Sequence, residues 1–182
     1  MSDTATGVLR EEHQVILKVV EVLDTALNDA SPPQLPFDLI DRCITFFRLF
    51  ADACHHGKEE DLLFPELVAH GMPDDAGPIA VMLAEHVQGR AFVRGMAAAF
   101  DGAKSGNEAS VKSLLTNARS FIELIRAHIG KEDFVLFAMA DDMVVGPACA
   151  ELCQRYEATC SRRFEGKTKE DLERLAAEIT AA

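Results

Sequence analysis

The sequence predicts an all-α protein, namely an up-down-up-down four-helix bundle followed by a C-terminal helical extension. Along most of the 182 residues, apolar side chains recur every three or four positions, as they do on one face of a helix. No stretch alternates apolar and polar residues over six positions, so the signals of β-strands are missing. Four long apolar stripes joined by short connections are typical of a helix bundle. We therefore expect the bundle in residues 1–145 and a packed helical extension in residues 146–182.

The first two stripes predict two long helices. The first should end at Ser31-Pro32-Pro33 and the second at Gly71-Met72-Pro73, because proline and glycine interrupt helices. Pro65 lies inside the second pattern and should kink or shorten that helix. The first stripe comprises Leu9, His13, Ile16, Leu17, Val20, Leu23 and Leu27, and the second comprises Ile40, Ile44, Phe47, Ala51, His55, Glu59 and Leu62.

The next two stripes predict the remaining helices of the bundle. The third helix should stop between Gly102 and Gly106, where glycines cluster. The third stripe comprises Ile79, Met82, Leu83, His86, Val93, Met96, Ala97 and Phe100, and the fourth comprises Leu114, Ala118, Phe121, Ile125, His128, Glu132, Val135, Leu136 and Met139.

Two shorter helices are expected in the tail, outside the functional site. A fifth helical stretch should run from Gly146-Pro147 to about Phe164, and Thr168 with Asp171 three positions on should cap a short last helix. The fifth stretch carries a stripe that we interpret as packing against the bundle rather than as thiol chemistry. This stripe comprises Cys149, Cys153, Tyr156 and Cys160.

Composition narrows the classes of partner and the compartment. The formal net charge of −12 would repel a phosphate backbone, so nucleic acid is not an expected partner. The longest stretch without Asp, Glu, Lys or Arg has nine residues, far short of the ~20 that span a bilayer, so no membrane partner is expected. The start MSDTATG lacks the basic and apolar regions of a signal peptide, and five Cys without framework spacing suggest reduced thiols. We expect a cytoplasmic protein.

An internal repeat with an offset of 73 residues carries the chemistry-bearing side chains. The segment HHGKEEDLLF from His55 aligns with HIGKEDFVLF from His128, and the same offset brings Glu12-His13 onto Glu85-His86. The first two helices therefore look like a copy of the third and fourth, which predicts a pseudo-twofold bundle. Two units are too few for a solenoid.

Six polar residues of this repeat fall on the apolar faces of the four helices. An unsatisfied buried polar group costs about 1–3 kcal/mol, so six would rival the ~5–15 kcal/mol that stabilises a domain. In each His-x-x-x-Glu pair the two side chains lie one turn apart and reach the same volume. A lone buried His is usually a hydrogen-bonded core residue, but six polar residues at one offset favour a dinuclear metal site. The predicted ligands are His13, His55, Glu59, His86, His128 and Glu132.

The ligand types and a neighbouring pair refine this prediction. Imidazole with carboxylate and without thiolate suits iron or a similar first-row metal, not structural zinc. His56 and Glu60 also form a His-x-x-x-Glu pair, but their stripe continues through Arg48 and Asp52 and predicts a solvated face. His56 is therefore expected to be exposed.

These residues resemble those of the hemerythrin-like, HHE cation-binding family, over about residues 8 to 140. The quoted pieces are HHGKEEDLLFP at 55–65, GPIAVMLAEH at 77–86 and HIGKEDFVLF at 128–137, of which the last two look most like bacterial di-iron proteins associated with iron-sulfur-cluster repair. The resemblance implies a four-helix bundle with two non-haem irons. Their bridge would be oxo or hydroxo, with the four histidines as terminal ligands and Glu59 and Glu132 as bridging ones.

One departure from the oxygen-carrying members bears on function. Where those proteins place a second His one turn after the third-helix His, this sequence has Arg90. With two His per iron, both irons would keep an exchangeable position. Symmetry allows His13 with His55 facing His86 with His128, or His13 with His128 facing His55 with His86. The expected ligand is nitric oxide, oxygen or peroxide, either in a stress-response or repair reaction or in a reversible binding module, and the protein partner is unknown.

Overall fold

Six helices make up the described part of the chain, with no β-strand among its residues. The computed structural model describes residues 4–29 and 34–181, apart from the Cys160 side chain, so the stop predicted at Ser31-Pro32-Pro33 lies outside the described residues. The first helix is Gly7–Asp29, the second spans residues 37–69, the third is Gly77–Lys104, the fourth spans residues 108–143, the fifth is Pro147–Cys160 and the sixth is Lys169–Thr180.

The second and fourth helices contain wider π-helical turns. These turns are Phe47–His56 and Glu59–Leu63 in the second helix and Glu132–Leu136 in the fourth. The N–H of Phe64 donates to the carbonyl of Glu59, five residues earlier, and the N–H of Phe137 does the same to Glu132. The repeat offset of 73 thus relates two backbone irregularities as well as two glutamates. Such turns are rare in proteins as a whole, but those that occur are often found at functional sites.

The wide turns change which side chains face the core. Val135 and Met139 were predicted on the fourth apolar stripe, yet they are 50% and 40% exposed. A wide turn adds one residue to the helical repeat, so residues after Glu132 are rotated relative to an ideal α-helix. Phe137 and Ala140 take the buried positions instead. Pro65 lies in the first turn of the α-helical segment Phe64–Ala69, directly after a wide turn, and the helix continues through it.

A layer of polar residues divides the apolar core into two clusters. One cluster contains Ile16, Phe50 and Ile129, and the other contains Leu9 and Leu136. Each of the first four helices contributes to both clusters and carries buried His or Glu between its two contributions. Burial of the two apolar clusters therefore fixes four helices around one polar layer.

The tail helices pack on this framework. The fifth helix contacts the Glu59–Leu63 turn and buries Leu152 and Tyr156. The sixth begins at the predicted capping box, in which Thr168 accepts from the N–H of Asp171 and the Asp171 carboxylate accepts from the N–H of Thr168. It packs on the first and second helices. None of the described helices is long and apolar enough to cross a membrane.

Candidate metal centre

Seven buried side chains converge in the polar layer as two adjoining groups. His13, His55, Glu59 and Glu132 form one group, and in each group the potential ligand atoms lie within 4.8 Å of one another. The other group consists of His56, His86 and His128. All six residues predicted from the repeat are thus brought together, and His56 joins them.

The carboxylates of Glu59 and Glu132, which belong to the first group, also reach histidines of the second group. The two carboxylate oxygens of Glu59 face different histidines, each at 3.5 Å: Oε1 faces His55 Nε2 and Oε2 faces His86 Nε2. Glu132 Oε2 lies 3.2 Å from His13 Nε2 and 3.3 Å from His128 Nε2. Each carboxylate therefore reaches both groups, as a bridging ligand must.

The geometry also separates the two arrangements that symmetry allowed. The rings of His13 and His55 lie 4.6 Å apart between centroids, and the Nε2 atoms of His86 and His128 are 3.1 Å apart. His13 therefore groups with His55, and His86 groups with His128.

Every one of the five imidazoles has a carboxylate behind it. A metal-binding His characteristically donates its second ring N–H to a carboxylate, which fixes the tautomer and aims the other nitrogen at the metal. Here the Nδ1–H donates outward and Nε2 points inward. The pairs are His13 with Asp133 at 2.8 Å, His55 with Glu12 at 2.9 Å, His86 with Glu60 at 2.6 Å, His128 with Glu85 at 2.9 Å and His56 with Asp52 at 3.4 Å.

Four of the carboxylates behind the histidines also occupy matched positions of the repeat. Glu12 and Glu85 differ by 73 positions, and so do Glu60 and Asp133, which were not singled out as functional from the sequence. Each of the latter two directly follows a core glutamate in the chain and supports a histidine on another helix. Their matched positions after Glu59 and Glu132 were the available signal.

His56 is buried, so its expected exposure was wrong. Its exposed fraction is 6%, and its ring stacks on that of His86 with centroids 3.8 Å apart. His56 closes the wide turn Phe47–His56, where the rotation between successive residues is smaller than in an α-helix, so two neighbouring histidines both face the core. The residue that matches His56 in the second copy of the repeat is Ile129, so the repeat gives no signal for His56.

Arg90 braces the outer carboxylates. Its guanidinium donates to Asp52 Oδ1 at 2.7 Å and to Glu60 Oε1 at 2.8 Å. These are the partners of His56 and His86, so Arg90 supports two imidazoles from outside.

A buried ion-pair cluster supports His55. Lys58 is fully buried and donates to Glu12 at 2.8 and 3.0 Å, and Lys169 of the sixth helix reaches the same carboxylate at 2.9 Å. Burial by itself raises the pKa of Glu12, but the His55 hydrogen bond and the two lysines outweigh it and hold that pKa far below its usual range. Glu12 is therefore an anion at any physiological pH. The expectation that the tail lies outside the site is corrected here, since Lys169 belongs to its outer sphere.

The residues fit a pair of metal ions. Among the described residues, the buried polar atoms without a hydrogen-bond partner include His13 Nε2, His56 Nε2 and all four oxygens of Glu59 and Glu132. Burial and then the Glu132 charge raise the pKa of Glu59 well above its usual range, because two adjoining carboxylates resist double ionisation. Burial lowers the pKa of His55 to about 4, which keeps this imidazole neutral and able to coordinate. Cations between these atoms would satisfy all of them.

A cavity of about 310 Å³ adjoins the site at His56. Its interior is apolar and includes Phe47, Val93 and Phe121, and Arg48 and Arg94 are exposed at its rim. The volume is at the lower end of the range for small-molecule pockets.

Comparison with known proteins agrees with this geometry. The profile of the hemerythrin HHE cation-binding domain matches residues 4–140, and the chain belongs to this family. The family binds metal ions, typically iron. No curated protein and no solved structure gives a significant match. The fifth and sixth helices lie outside the matched region.

Proposed function

We propose that this chain is a non-haem di-iron protein whose metal pair binds or reacts with nitric oxide, oxygen or peroxide. His13 and His55 would hold the first iron, and His56, His86 and His128 the second. Glu59 and Glu132, together with an oxo or hydroxo group, would bridge them. The observation that carries the proposal is the pair of buried ligand groups that share two carboxylates.

The same proposal includes the arrangement of the chain. Residues 1–145 form the metal-binding bundle with its four helices in up-down-up-down order. Residues 146–182 form an extension, whose Lys169 contact to Glu12 supports a packed position. We place the protein in the cytoplasm, on the compositional grounds given above.

The ligand count makes the two metals unlike. Three imidazoles, two carboxylates and the bridging group would give the second iron the roughly six ligands that it prefers. The first iron would have only His13 and His55 as terminal ligands and would keep one exchangeable position. The expectation that both irons stay open is thereby revised, because His56 was not counted. Ferrous iron at the open position supplies electrons and a coordination site to a small ligand.

The chain's own side chains hold and shield that position. Phe137 stacks on the His13 ring at 5.2 Å with nearly parallel planes, and Leu9 and Leu63 are fully buried in the same apolar cluster. They exclude water on this side, while Asp133 and Glu12 fix the two imidazoles. A site of this kind favours small, weakly hydrated ligands.

A stress-response or iron-sulfur repair reaction is the first candidate function, and it rests on the resemblance in the third- and fourth-helix motifs. The second candidate is a reversible oxygen or nitric oxide binding module. His56 favours this second candidate, since it restores a fifth imidazole and saturates one metal, which leaves a single ligand site.

Kinetics on the reduced, iron-loaded protein separates the two functions. The protein is mixed with nitric oxide under anaerobic conditions, and separately with oxygen or with excess peroxide. An excess of a chemical electron donor is present for nitric oxide and oxygen, and each reaction is followed by stopped-flow absorbance. Consumption of many equivalents per chain supports a reaction, and a stable adduct that dissociates on ligand removal supports the binding module. Absence of both binding and consumption would overturn the proposal.

A further inference from the structure

Among the described tail side chains, Tyr156 is the one with a buried polar atom that has no hydrogen-bond partner. The residue is 1% exposed, and its hydroxyl makes no hydrogen bond within residues 4–29 and 34–181. The other buried side-chain atoms in this condition all belong to His13, His56, Glu59 and Glu132. Such a hydroxyl costs about 1–3 kcal/mol. An unsatisfied group outside the ligand set therefore calls for a partner of its own.

The packing places the Tyr156 side chain in the apolar cluster on one side of the polar layer. The fifth helix contacts the Glu59–Leu63 turn, and Tyr156 packs in the apolar cluster that contains Leu9 and Leu63. Leu9 lies one helical turn before His13, and Leu63 lies one turn after Glu59. Glu59 and Glu12 act electrostatically on the phenol, and both carboxylates lie against His55, so the phenol lies near the group that contains His55.

The phenol stays protonated in this environment. Burial raises its pKa first, and electrostatic interaction with Glu59, Cys153 and Glu12 raises it further. A neutral phenol keeps its O–H group, so it can donate a hydrogen bond to an acceptor that comes within reach.

We propose that the Tyr156 hydroxyl donates a hydrogen bond to the small ligand that binds beside His13 and His55. This inference rests on the proposed function and assigns a ligand-contacting role to a residue outside the family match. An oxygen or nitrogen atom of the bound ligand accepts the hydrogen bond, so no covalent bond is broken. The tail thereby completes the ligand site of the bundle.

Substitution Tyr156→Phe removes only the oxygen atom, and Cys153→Ala on the same helix is the matched control. Azide, a small anion that binds ferric iron, is titrated into the oxidised iron-loaded proteins. Loss of one hydrogen bond should raise the Kd for azide about three- to tenfold in Tyr156→Phe and leave it unchanged in Cys153→Ala. Iron content should be the same in all three proteins.

The metal-free proteins provide a readout independent of ligand binding. Since the hydroxyl is unpartnered there, metal-free Tyr156→Phe should melt at the same or a higher temperature than the wild type. A lower melting temperature of this variant, loss of iron, or an unchanged Kd for azide would overturn the role of Tyr156. Failure of the iron-loaded wild type to bind azide would instead contradict the open position in the proposed function.

Discussion

Replacing Lys58 by Met tests the buried cluster behind His55, and the repeat supplies its control. Lys58 is fully buried against Glu12, whereas its repeat counterpart Lys131 pairs with Glu85 at a side-chain exposure of 42%. Removing one partner of a buried ion pair costs about 3–5 kcal/mol. Lys169 remains beside Glu12 at 2.9 Å, so the lower end, about 3 kcal/mol, is expected. An exposed pair such as that of Lys131 contributes at most about 1 kcal/mol.

Urea unfolding of the metal-free proteins, followed by circular dichroism, measures both costs. For a chain of this size, Lys58→Met should also lower Tm by roughly 6–12 °C, since 1 kcal/mol corresponds to about 2–4 °C. Lys131→Met should lower Tm by no more than about 4 °C. Equal losses of stability in the two variants would refute the view that the buried Lys58 pair stabilises the fold more than the exposed Lys131 pair.

Three further predictions concern the site itself. His56→Leu should lower the iron content from about two per chain towards one. The control His70→Leu, which changes the residue directly after the second helix, should keep both irons. Equal iron content in the two variants would mean that His56 is no ligand. Glu60→Ala should weaken iron binding about 10–100-fold, as loss of a carboxylate behind a metal-binding His does. The control Glu66→Ala should not, because Glu66 is similarly half-buried but pairs with His70 and Arg155 instead of a site histidine. Burial and then His86 lower the pKa of His56 below its ordinary 6.5, so only the unfolded chain takes up this proton as pH falls below that value. The metal-free wild type should therefore lose more stability between pH 7 and pH 5 than His56→Leu, and matching pH profiles would contradict this.

The convergence of the six residues of the repeat was predictable because helical spacing alone puts them on inward faces. His13 and His86 recur on apolar stripes, and each His-x-x-x-Glu pair spans one turn. Leaving so many buried polar groups unsatisfied would cost too much free energy, so they need a common partner, which indicates a metal site. The family profile supports metal binding but not the finer ligand assignment.

The remaining side chains of the site escaped sequence reasoning for two physical reasons. His56 turns inward because a wide turn replaces the ideal α-helix, and no periodicity of 3.6 can register that change. Glu60 and Asp133 each follow a ligand in the chain but support a histidine of a different helix, so their role depends on tertiary packing. Tyr156 joins the apolar cluster of Leu9 and Leu63 only through the docking of the fifth helix.

Iron K-edge X-ray absorption of the iron-loaded protein tests the central claim most directly. We expect about two irons per chain, with each iron scattering from the other within about 4 Å, as in two-metal sites, and with imidazole nitrogen around both. One iron per chain, or two irons without mutual scattering at that distance, would contradict a metal pair bridged by Glu59 and Glu132.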